Sequence, residues 1–437
     1  MDSIWINDTD RPCFEALGHD IKVEVLIIGG GLSGILCAHM LKAAGVDCAL
    51  VEARRICGGI TGNTTAKITA QHGAIYNKIA KEFDIDTARL YYKAQTEALD
   101  SYRRLCKNIS CDFQDQDSYV YSLYDRQLME NETEVLNKIG SPSFFVDELP
   151  IPVTGLGAVC LPDQAQFNPL KFAFEIAKDL NIYENTKVLE LQKGKAVTNR
   201  GNINAEKMIV ATHFPFVNKF GAYFLKLYQH RSYVIALANA PETNGMYVDE
   251  NENGLSFRSY NGLLLLGGGG HRTGKSGGGW RELDAFAGKY YPSAKIVSRW
   301  ATQDCMSLDG IPYIGRYSEK TPDVFVATGF NKWGMTSSMV ASSVLADMIL
   351  EKTNEYTELF SPSRSIFRKQ LALNAAESIA GIVRPTAPRC PHMGCALKYN
   401  KEEHSWDCSC HGSRFSDKGA LINNPATNDL SGLDKKI

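Results

Sequence analysis

Four side chains near the C-terminal end have the residue types and the spacing of a metal site. Cys390 and His392 form a C-x-H pair, and Cys408 and His411 form a C-x-x-H pair after fifteen intervening residues. Thiolate sulfur and imidazole nitrogen are ligands of tetrahedral zinc. Two Cys and two His also suit a [2Fe-2S] centre in which His replaces Cys on one iron. The residue types alone therefore leave open a structural zinc and a one-electron redox centre.

A second constellation, near the N-terminus, has the pattern of a dinucleotide-phosphate site. The run Gly29–Gly34 fits G-x-G-x-x-G, follows the apolar run Val23–Ile28 and precedes an amphipathic segment. Such glycines permit a tight turn and a close approach of the backbone to a pyrophosphate, which sits at the positive end of the next helix. Glu52 ends a second apolar run 18 residues after the last of these glycines. A carboxylate there accepts hydrogen bonds from an adenosine ribose, so the β-α-β context favours this interpretation over an incidental glycine turn.

The segment after the second strand helps to decide which dinucleotide is bound. Residues 60–67, ITGNTTAK, are rich in hydroxyls and glycine. Backbone amides and Thr hydroxyls of such a loop can bind the phosphates and ring of a flavin, and a plain surface loop is the alternative.

The chain resembles the D-amino-acid oxidase/glycine oxidase superfamily of FAD-dependent oxidoreductases. The resemblance runs through Gly29–Gly34, Glu52, Gly59–Lys67, Met208–Pro215, Asp309–Gly315 and Val324–Met335. It implies that the last segment places a helix N-terminus against the flavin, where unpaired N–H groups stabilise the anionic reduced ring. It also implies that Val188 meets the adenine, although a core valine is an equal alternative. The implied FAD-binding residues are Gly29, Gly31, Leu32, Ser33, Gly34, Glu52, Ala53, Gly59, Thr61, Thr64, Thr65, Ala66, Lys67, Val188, Thr212, Gly310, Gly329, Trp333, Gly334 and Met335.

The C-terminal motifs, CPHMGC and CSCHGSRF, resemble the two cluster-binding boxes of Rieske proteins. This resemblance implies a [2Fe-2S] cluster with Cys390, His392, Cys408 and His411 as its ligands. It further implies that Cys395 and Cys410 occupy the places of the disulfide that braces the two boxes in many Rieske proteins. Residues 381–437 are short for such a domain, because the strands that normally precede the first box are missing.

The elements that must position these sites indicate an α/β protein. We predict a Rossmann-like FAD-binding domain, an antiparallel-sheet substrate domain of the glycine oxidase type, and a small C-terminal all-β Rieske module. The predicted FAD-binding domain is discontinuous, and a helical linker precedes the Rieske module. The predicted boundaries are 1–90, 150–213 and 300–355 for the FAD-binding domain, 91–149 and 214–299 for the substrate domain, 356–380 for the linker and 381–437 for the Rieske module.

No motif singles out a catalytic side chain, and four weak candidates follow from position. Lys67 and His72 lie just beyond the flavin loop, whereas Arg258 and His271 lie in the predicted substrate domain. An arginine there could clamp a substrate carboxylate bidentately, although surface or packing roles are the more ordinary interpretation. Further candidates on the substrate side are Arg231, Tyr233, Tyr260 and Arg272.

Composition places limits on partners and location. The formal net charge is −2, which gives no indication of a nucleic-acid partner. No segment has the length and apolar character of a membrane span, and the N-terminus does not resemble a signal peptide, so we expect a cytoplasmic protein. Eight of the twelve cysteines have no motif spacing and are expected to be small buried hydrophobes.

These observations favour an FAD-dependent oxidoreductase that oxidises a small substrate, an amine or an amino acid. Electrons would pass from the flavin to the [2Fe-2S] cluster and on to an external acceptor, and an oligomer is possible. One alternative is an electron-transfer protein without an organic substrate of its own. Another is a structural or regulatory protein that retains the flavin fold and binds zinc.

Overall fold

The computed structural model describes residues 2–217, 220–385 and 388–430. The dinucleotide-type half is built on a sheet whose central strands are parallel. Ile28 at the end of the first strand pairs with Val51 on one side and with Val210 on the other. The strands of this sheet, in spatial order, are Tyr313–Ser318, Thr321–Thr328, Asn202–Val210, Ile21–Ile28, Cys48–Val51 and Ile182–Tyr183, with Val188–Gln192 and Lys195–Thr198 attached beside Asn202–Val210.

Two helices cover one face of the parallel sheet and begin at the ends of its strands. Leu32–Ala43 and Gly334–Ile349 are buried along most of their length, which agrees with their nearly continuous apolar and small residues. Both N-termini lie where a strand leaves the sheet, so both can point at a bound dinucleotide. The other helices are Ile4–Asn7, Ile75–Glu82, Ile85–Cys106, Arg126–Lys138, Pro169–Ala177, Tyr223–Lys226, Gly279–Tyr290, Thr357–Phe360 and Lys369–Val383, with a 3₁₀ turn at Ile60–Asn63.

The second sheet has nine strands and is antiparallel except where Met246–Asp249 pairs with Gln114–Ser122. Gly157–Gln166 lies inside the predicted FAD-binding segment 150–213 but joins this second sheet, and Lys295–Ser307 crosses the predicted boundary at residue 300. Strand periodicity does not tell which sheet a strand joins. The domain boundaries therefore stay a prediction. In spatial order the strands are Lys295–Ser307, Leu227–Ala238, Leu263–Arg272, Ser256–Tyr260, Met246–Asp249, Gln114–Ser122, Gly157–Gln166 and Lys67–Ile68, with Phe144–Val146 beside Gly157–Gln166.

The C-terminal module is a small antiparallel sheet with its own core, which includes four cysteines and Phe415. With the parallel and nine-stranded sheets, it confirms the predicted α/β architecture with a small all-β module. Within the described residues, no helix has both the length and the apolar character that a membrane crossing requires. The four strands are Leu397–Asn400, Ser405–Cys408, Arg414–Ser416 and Leu421–Asn423.

The sequence lacks the strands that normally precede the first box of a Rieske domain. In their place, the helix Lys369–Val383 packs on the C-terminal module. Its residue Gly381 packs on the disulfide, and a Cβ at that position would lie 2.6 Å from the Cys410 Sγ. The Gly381 carbonyl also accepts a hydrogen bond from the Ala396 amide, at 2.9 Å. The helix therefore begins in the predicted linker, ends in the predicted Rieske module, and packs on the two cluster loops, at residues 390–395 and 408–413.

Candidate functional site

A cavity of about 1470 Å³ lies between the parallel sheet, the nine-stranded sheet and the C-terminal module. This volume exceeds the roughly 300–1,000 Å³ of an ordinary small-ligand pocket, so the cavity can hold a large cofactor together with a small substrate. Gly34 and Ala66, which were predicted to bind FAD, do not line it. The predicted FAD-binding residues that do line it are Gly29, Gly31, Leu32, Ser33, Glu52, Ala53, Gly59, Thr61, Thr64, Thr65, Lys67, Val188, Thr212, Gly310, Gly329, Trp333, Gly334 and Met335.

The glycine turn before Leu32–Ala43 forms a cradle that has no room for side chains. Gly29 has a φ of +115°, and a Cβ there would lie 2.5 Å from the Ala211 carbonyl oxygen. A Cβ on Gly34 would overlap the carbonyl oxygen of Gly29. The N-cap residue, Gly31, offers no side chain, and the Leu32 amide donates to the Thr61 hydroxyl at 3.0 Å. The buried Ser33 Oγ has no hydrogen-bond partner among the described residues. Free donors at a helix N-terminus fit a pyrophosphate, so this end of the cavity suits FAD.

Glu52 lies at the end of the second parallel strand with its carboxylate on the cavity wall. Its Oε2 accepts a hydrogen bond from the Gly30 amide at 2.8 Å, and its Oε1 accepts one from the Arg54 amide at 2.9 Å. These bonds fix the carboxylate beside the glycine turn, where a ribose hydroxyl can donate to its remaining lone pairs.

The hydroxyl-rich loop at 60–67 is held in place by three distant side chains. The indole N–H groups of Trp5 and Trp300 donate to the carbonyls of Thr64 (2.7 Å) and Asn63 (3.0 Å). The fully buried Arg258 donates to the carbonyls of Thr65 and Ala66 and, at 3.1 Å, to that of Phe167. Arg258, a catalytic candidate from sequence, does not line the cavity and acts here as a positioning residue. Tyr260 is likewise outside the lining and donates to Asp112.

His72 supports the wall at the N-terminus of Gly334–Ile349. Its ring stacks on Trp333 with centroids 5.0 Å apart and planes 9° apart. Its Nδ1 lies 2.7 Å from the Tyr91 hydroxyl, and its Nε2 lies 3.0 Å from the Thr336 hydroxyl. Burial lowers the pKa of His72 to about 3, so the ring is neutral. The hydrogen bonds of its nitrogens fix the ring that stacks on Trp333.

Lys67 is the one catalytic candidate from sequence that combines a place on the cavity wall with a pKa near neutrality. Its Nζ donates to the Thr65 hydroxyl at 3.1 Å. Burial, and to a smaller degree the nearby Arg258 guanidinium, lowers the pKa of Lys67 to about 7. A neutral amine is therefore accessible at this atom without strongly basic conditions.

The two cluster loops of the C-terminal module have the same internal geometry. The amides of Gly394 and Gly412 donate to the carbonyls of Cys390 (2.9 Å) and Cys408 (3.0 Å), so each loop closes on its own cysteine. Both glycines have positive φ, at 75° and 86°. Hydrogen bonding to the Cys408 thiol, with smaller contributions from nearby amides and the Ser413 hydroxyl, lowers the pKa of Cys390 below its ordinary value.

The histidines of the two loops contact each other. The rings of His392 and His411 lie 5.0 Å apart at 88°. Burial lowers the pKa of His392 to about 4 and that of His411 to about 3, so both imidazoles are neutral, as metal ligation requires. The buried His411 Nδ1 has no hydrogen-bond partner in the described part of the chain. The donor set and this orphaned nitrogen fit a [2Fe-2S] cluster.

The sulfur atoms of Cys395, Cys408 and Cys410 lie within 4.8 Å of one another. Cys395 and Cys410 are joined by a disulfide, as the resemblance implied, and a disulfide sulfur is a poor metal ligand. Cys390, His392, Cys408 and His411 therefore stay the predicted ligands, and the disulfide joins the two loops that carry them.

The second cluster loop is bonded directly to the nine-stranded sheet. Arg272 donates from Nε to the Ser409 carbonyl and from Nη2 to the Cys410 carbonyl, both at 3.1 Å. Gln229 donates to the His411 carbonyl at 2.7 Å, and Gln303 donates to the Gly412 carbonyl at 2.9 Å. Sequence reasoning missed these two glutamines, because a polar residue on an alternating strand carries no signal of its own.

Two glycines lie where the second cluster loop and the nine-stranded sheet are in close contact. A Cβ on Gly274, whose φ is +76°, would lie 2.5 Å from the Ser409 amide nitrogen. A Cβ on Gly412 would lie 2.5 Å from the Gln229 Cβ. Asn424 joins the C-terminal module to the dinucleotide end of the cavity. Its side-chain amide donates to the carbonyl of Thr212, a residue of the cavity wall, at 3.0 Å. The module is thus in contact with both the substrate-side sheet and the dinucleotide end of the cavity.

Among the substrate-side candidates, Arg231 and Tyr233 line the cavity, whereas His271 and Arg272 do not. His271 stacks on Tyr233, with centroids 5.6 Å apart, and burial lowers its pKa. Arg231 and Tyr233 both contact Glu403 of the C-terminal module.

Comparison with known proteins agrees with this geometry. The family model described as FAD dependent oxidoreductase matches residues 24–348, and that of the Rieske [2Fe-2S] domain matches residues 348–434. The chain is 33% identical to a putative Rieske 2Fe-2S iron-sulfur protein, YhfW, of Bacillus subtilis, over 99% of this chain and 97% of that protein. It is 26% identical to gamma-glutamylputrescine oxidoreductase of Escherichia coli, over 45% of this chain and 50% of that protein. Its fold is similar to glycine oxidase from Geobacillus kaustophilus, with a TM-score of 0.66, 19% identity, and coverage of 79% of this chain and 99% of that one.

Proposed function

Because the chain belongs to the FAD dependent oxidoreductase family and carries a C-terminal Rieske [2Fe-2S] domain, we propose that it oxidises a small amine or amino acid and passes the electrons from FAD to the cluster and an external acceptor. The match to the Rieske model sets aside the zinc alternative. An electron-transfer protein without an organic substrate remains the competing proposal.

The observation that carries this proposal is the bonding of the second cluster loop to strands that line the cofactor cavity. Gln303 lines the cavity and bonds the Gly412 carbonyl, one residue beyond the ligand His411. When bound, FAD supplies two-electron oxidation and the cluster supplies one-electron transfer. His411 is buried and contacts Phe214 and Phe224, with ring centroids 6.5 and 6.2 Å away. An amine substrate is supported by the likeness to gamma-glutamylputrescine oxidoreductase.

Anaerobic titration of the purified holoprotein tests the proposal. Primary and secondary amines and amino acids are added in turn, while the flavin absorbance and the EPR signal of the reduced cluster are recorded together. We expect at least one class to bleach the flavin and then to produce the cluster signal. Bleaching without the cluster signal would contradict transfer between the centres. No bleaching by any of these compounds, with normal reduction by dithionite, would favour the electron-transfer alternative.

Lys67 is proposed as the group that accepts a proton from the substrate ammonium. Since its pKa is about 7, well below the ordinary 10.5, Lys67 is protonated below that pH and neutral above it. The rate of flavin reduction should therefore rise as the pH increases through about 7. We expect Lys67→Met to lower this rate by roughly 100-fold, the lower end for loss of a general base, and to flatten the pH dependence.

A stopped-flow pH profile of anaerobic flavin reduction measures the effect of Lys67. Lys67→Arg is the matched control, because it keeps a cation but cannot release its proton. It should lose the rise with pH as Lys67→Met does. A wild-type pH profile in Lys67→Met would show that another group accepts the proton.

A further inference from the structure

The turn at 401–404 joins two strands of the C-terminal sheet and reaches into the cavity on the side of the nine-stranded sheet. Glu402, Glu403 and His404 all line the cavity. Glu402 is tied to the rim, where its carboxylate accepts from the Trp280 amide at 3.1 Å and from Arg281 Nε at 3.0 Å. The Rieske module therefore forms part of the cavity wall that a substrate meets.

Glu403 accepts hydrogen bonds from three side chains, and both of its carboxylate oxygens are engaged. Arg231 contacts both of its carboxylate oxygens, with Nε 3.0 Å from Oε1. The Tyr233 hydroxyl donates to Oε1 at 3.0 Å, and Arg414 Nη2 donates to Oε2 at 2.9 Å. The side chains of Arg231, Glu403 and Arg414 are 3%, 10% and 5% exposed, so these bonds are shielded from bulk water. Such a pair, once formed, is costly to break by removing one partner.

Arg231 and Tyr233 by themselves form a carboxylate-binding arrangement on the cavity wall. A guanidinium fork binds both oxygens of a carboxylate in its plane, and the phenol adds a third donor. Both residues belong to the strand Leu227–Ala238 of the flavoprotein, whereas the carboxylate comes from the Rieske module. A substrate carboxylate would have to displace Glu403, which is covalently tethered and present at high effective concentration.

In the part of the cavity next to Arg231, the lining holds the carboxylates of Asp304 and Glu252 and a further cation, Lys332. Lys332 lies near Asp304 and Glu252, and its Nζ donates to the Glu252 carbonyl. Its positive charge is thus balanced within the chain. Asp249 and Glu250 add further carboxylates to the lining. A ligand that enters here meets paired cations and surplus carboxylates, which favours a positively charged group over an anionic one.

We infer that Glu403 occupies the cavity's carboxylate-binding position and thereby restricts the enzyme to cationic amines that present no carboxylate to Arg231. This inference rests on the proposed function, whose substrate class it narrows. Glu403 is then a specificity-determining residue supplied by the Rieske module. Removing its carboxylate should open a site for small carboxylates at Arg231 and Tyr233.

Acetate and propionate binding to the oxidised holoprotein tests this inference without turnover. Binding is followed by isothermal titration calorimetry and by the flavin spectrum. We expect Glu403→Ala to bind acetate with a dissociation constant roughly ten-fold or more below that of the wild type, because the tethered competitor is gone. The matched control Glu402→Ala, which changes the same turn but leaves Arg231 paired, should bind acetate no better than the wild type. Arg231→Met in the Glu403→Ala background should abolish the gain.

Three results would overturn the inference: tight acetate binding by the wild type, no gain in a folded Glu403→Ala protein that retains its cluster signal, or an equal gain in Glu402→Ala. If Glu403→Ala does not fold, Glu403→Gln serves instead, because it removes the charge with little change in shape. A folded Glu403→Gln without tighter acetate binding would equally overturn it. Failure of amines to reduce the flavin would count against the proposed function, and the carboxylate-binding comparison would still be measurable.

Discussion

Replacing Cys408 with Ser is expected to remove the [2Fe-2S] cluster while FAD stays bound. The Cys408 side chain is buried in the core of the C-terminal module, and its loop closes through the Gly412 amide. A serine hydroxyl is a poor ligand for iron that thiolates hold. Changes in groups that merely support metal ligands already cost about 10–100-fold, so losing a ligand should reduce electron delivery to a one-electron acceptor by at least about 100-fold.

Two measurements on the same Cys408→Ser sample check this result. Iron content and the EPR signal of the reduced protein should fall to background, whereas flavin absorbance and anaerobic reduction by substrate should stay within about two-fold of the wild type. Cys160→Ser is the matched control, because Cys160 is an equally buried free thiol in the nine-stranded sheet. It should keep both cofactors. Loss of flavin together with the cluster in Cys408→Ser would show that the module is needed to hold the FAD site.

Gly34→Val should have the opposite selectivity and remove FAD while leaving the cluster. The added atoms would meet the Gly29 carbonyl in the turn that cradles the pyrophosphate. Overpacking of this kind costs about 1–3 kcal/mol. When this free-energy cost is borne by the FAD-bound protein, its upper value corresponds to roughly 100-fold weaker FAD binding.

The measurement is FAD content after purification, followed by reconstitution of the apoprotein with FAD. Gly288→Ala is the control, because a Cβ there meets nothing within 4 Å and the residue lies in a helix, where Ala is preferred. It should retain full FAD content. Stoichiometric FAD in Gly34→Val would contradict the assignment of the glycine turn to the cofactor, and loss of the cluster signal in that variant would contradict the independence of the two sites.

Local patterns explain what could be predicted from the sequence. The glycine turn lies between a strand and a helix that are adjacent in the chain, and each Cys–His pair lies within four residues. Spacing along the chain therefore predicts spacing in the fold at these points. The position of Glu52 beside the glycine turn could be predicted as well, because neighbouring parallel strands end at the same edge of the sheet.

The contacts that join the two parts of the molecule could not be predicted in this way. Arg231 and Glu403 are 172 residues apart, and Arg258 reaches Ala66 across 192 residues. From sequence, both arginines were equally plausible as substrate clamps. Their roles differ because Arg231 binds the Glu403 carboxylate, whereas Arg258 binds backbone carbonyls. No local sequence pattern predicts either contact. The packing of Lys369–Val383 on the C-terminal module could not be predicted for the same reason. Helical periodicity predicts a helix but not the surface against which it packs.

The glycine contacts between the two domains also bear on how this chain evolves. Gly274 faces the Ser409 backbone, and Gly412 faces the Gln229 side chain, with no space for a methyl group at either point. A side chain gained at either glycine would therefore require a compensating change in the surface that faces it. A Rieske module taken from another protein would have to fit sterically at these two contacts before it could dock on this flavoprotein. At these two points, the surfaces of the two domains can change only together.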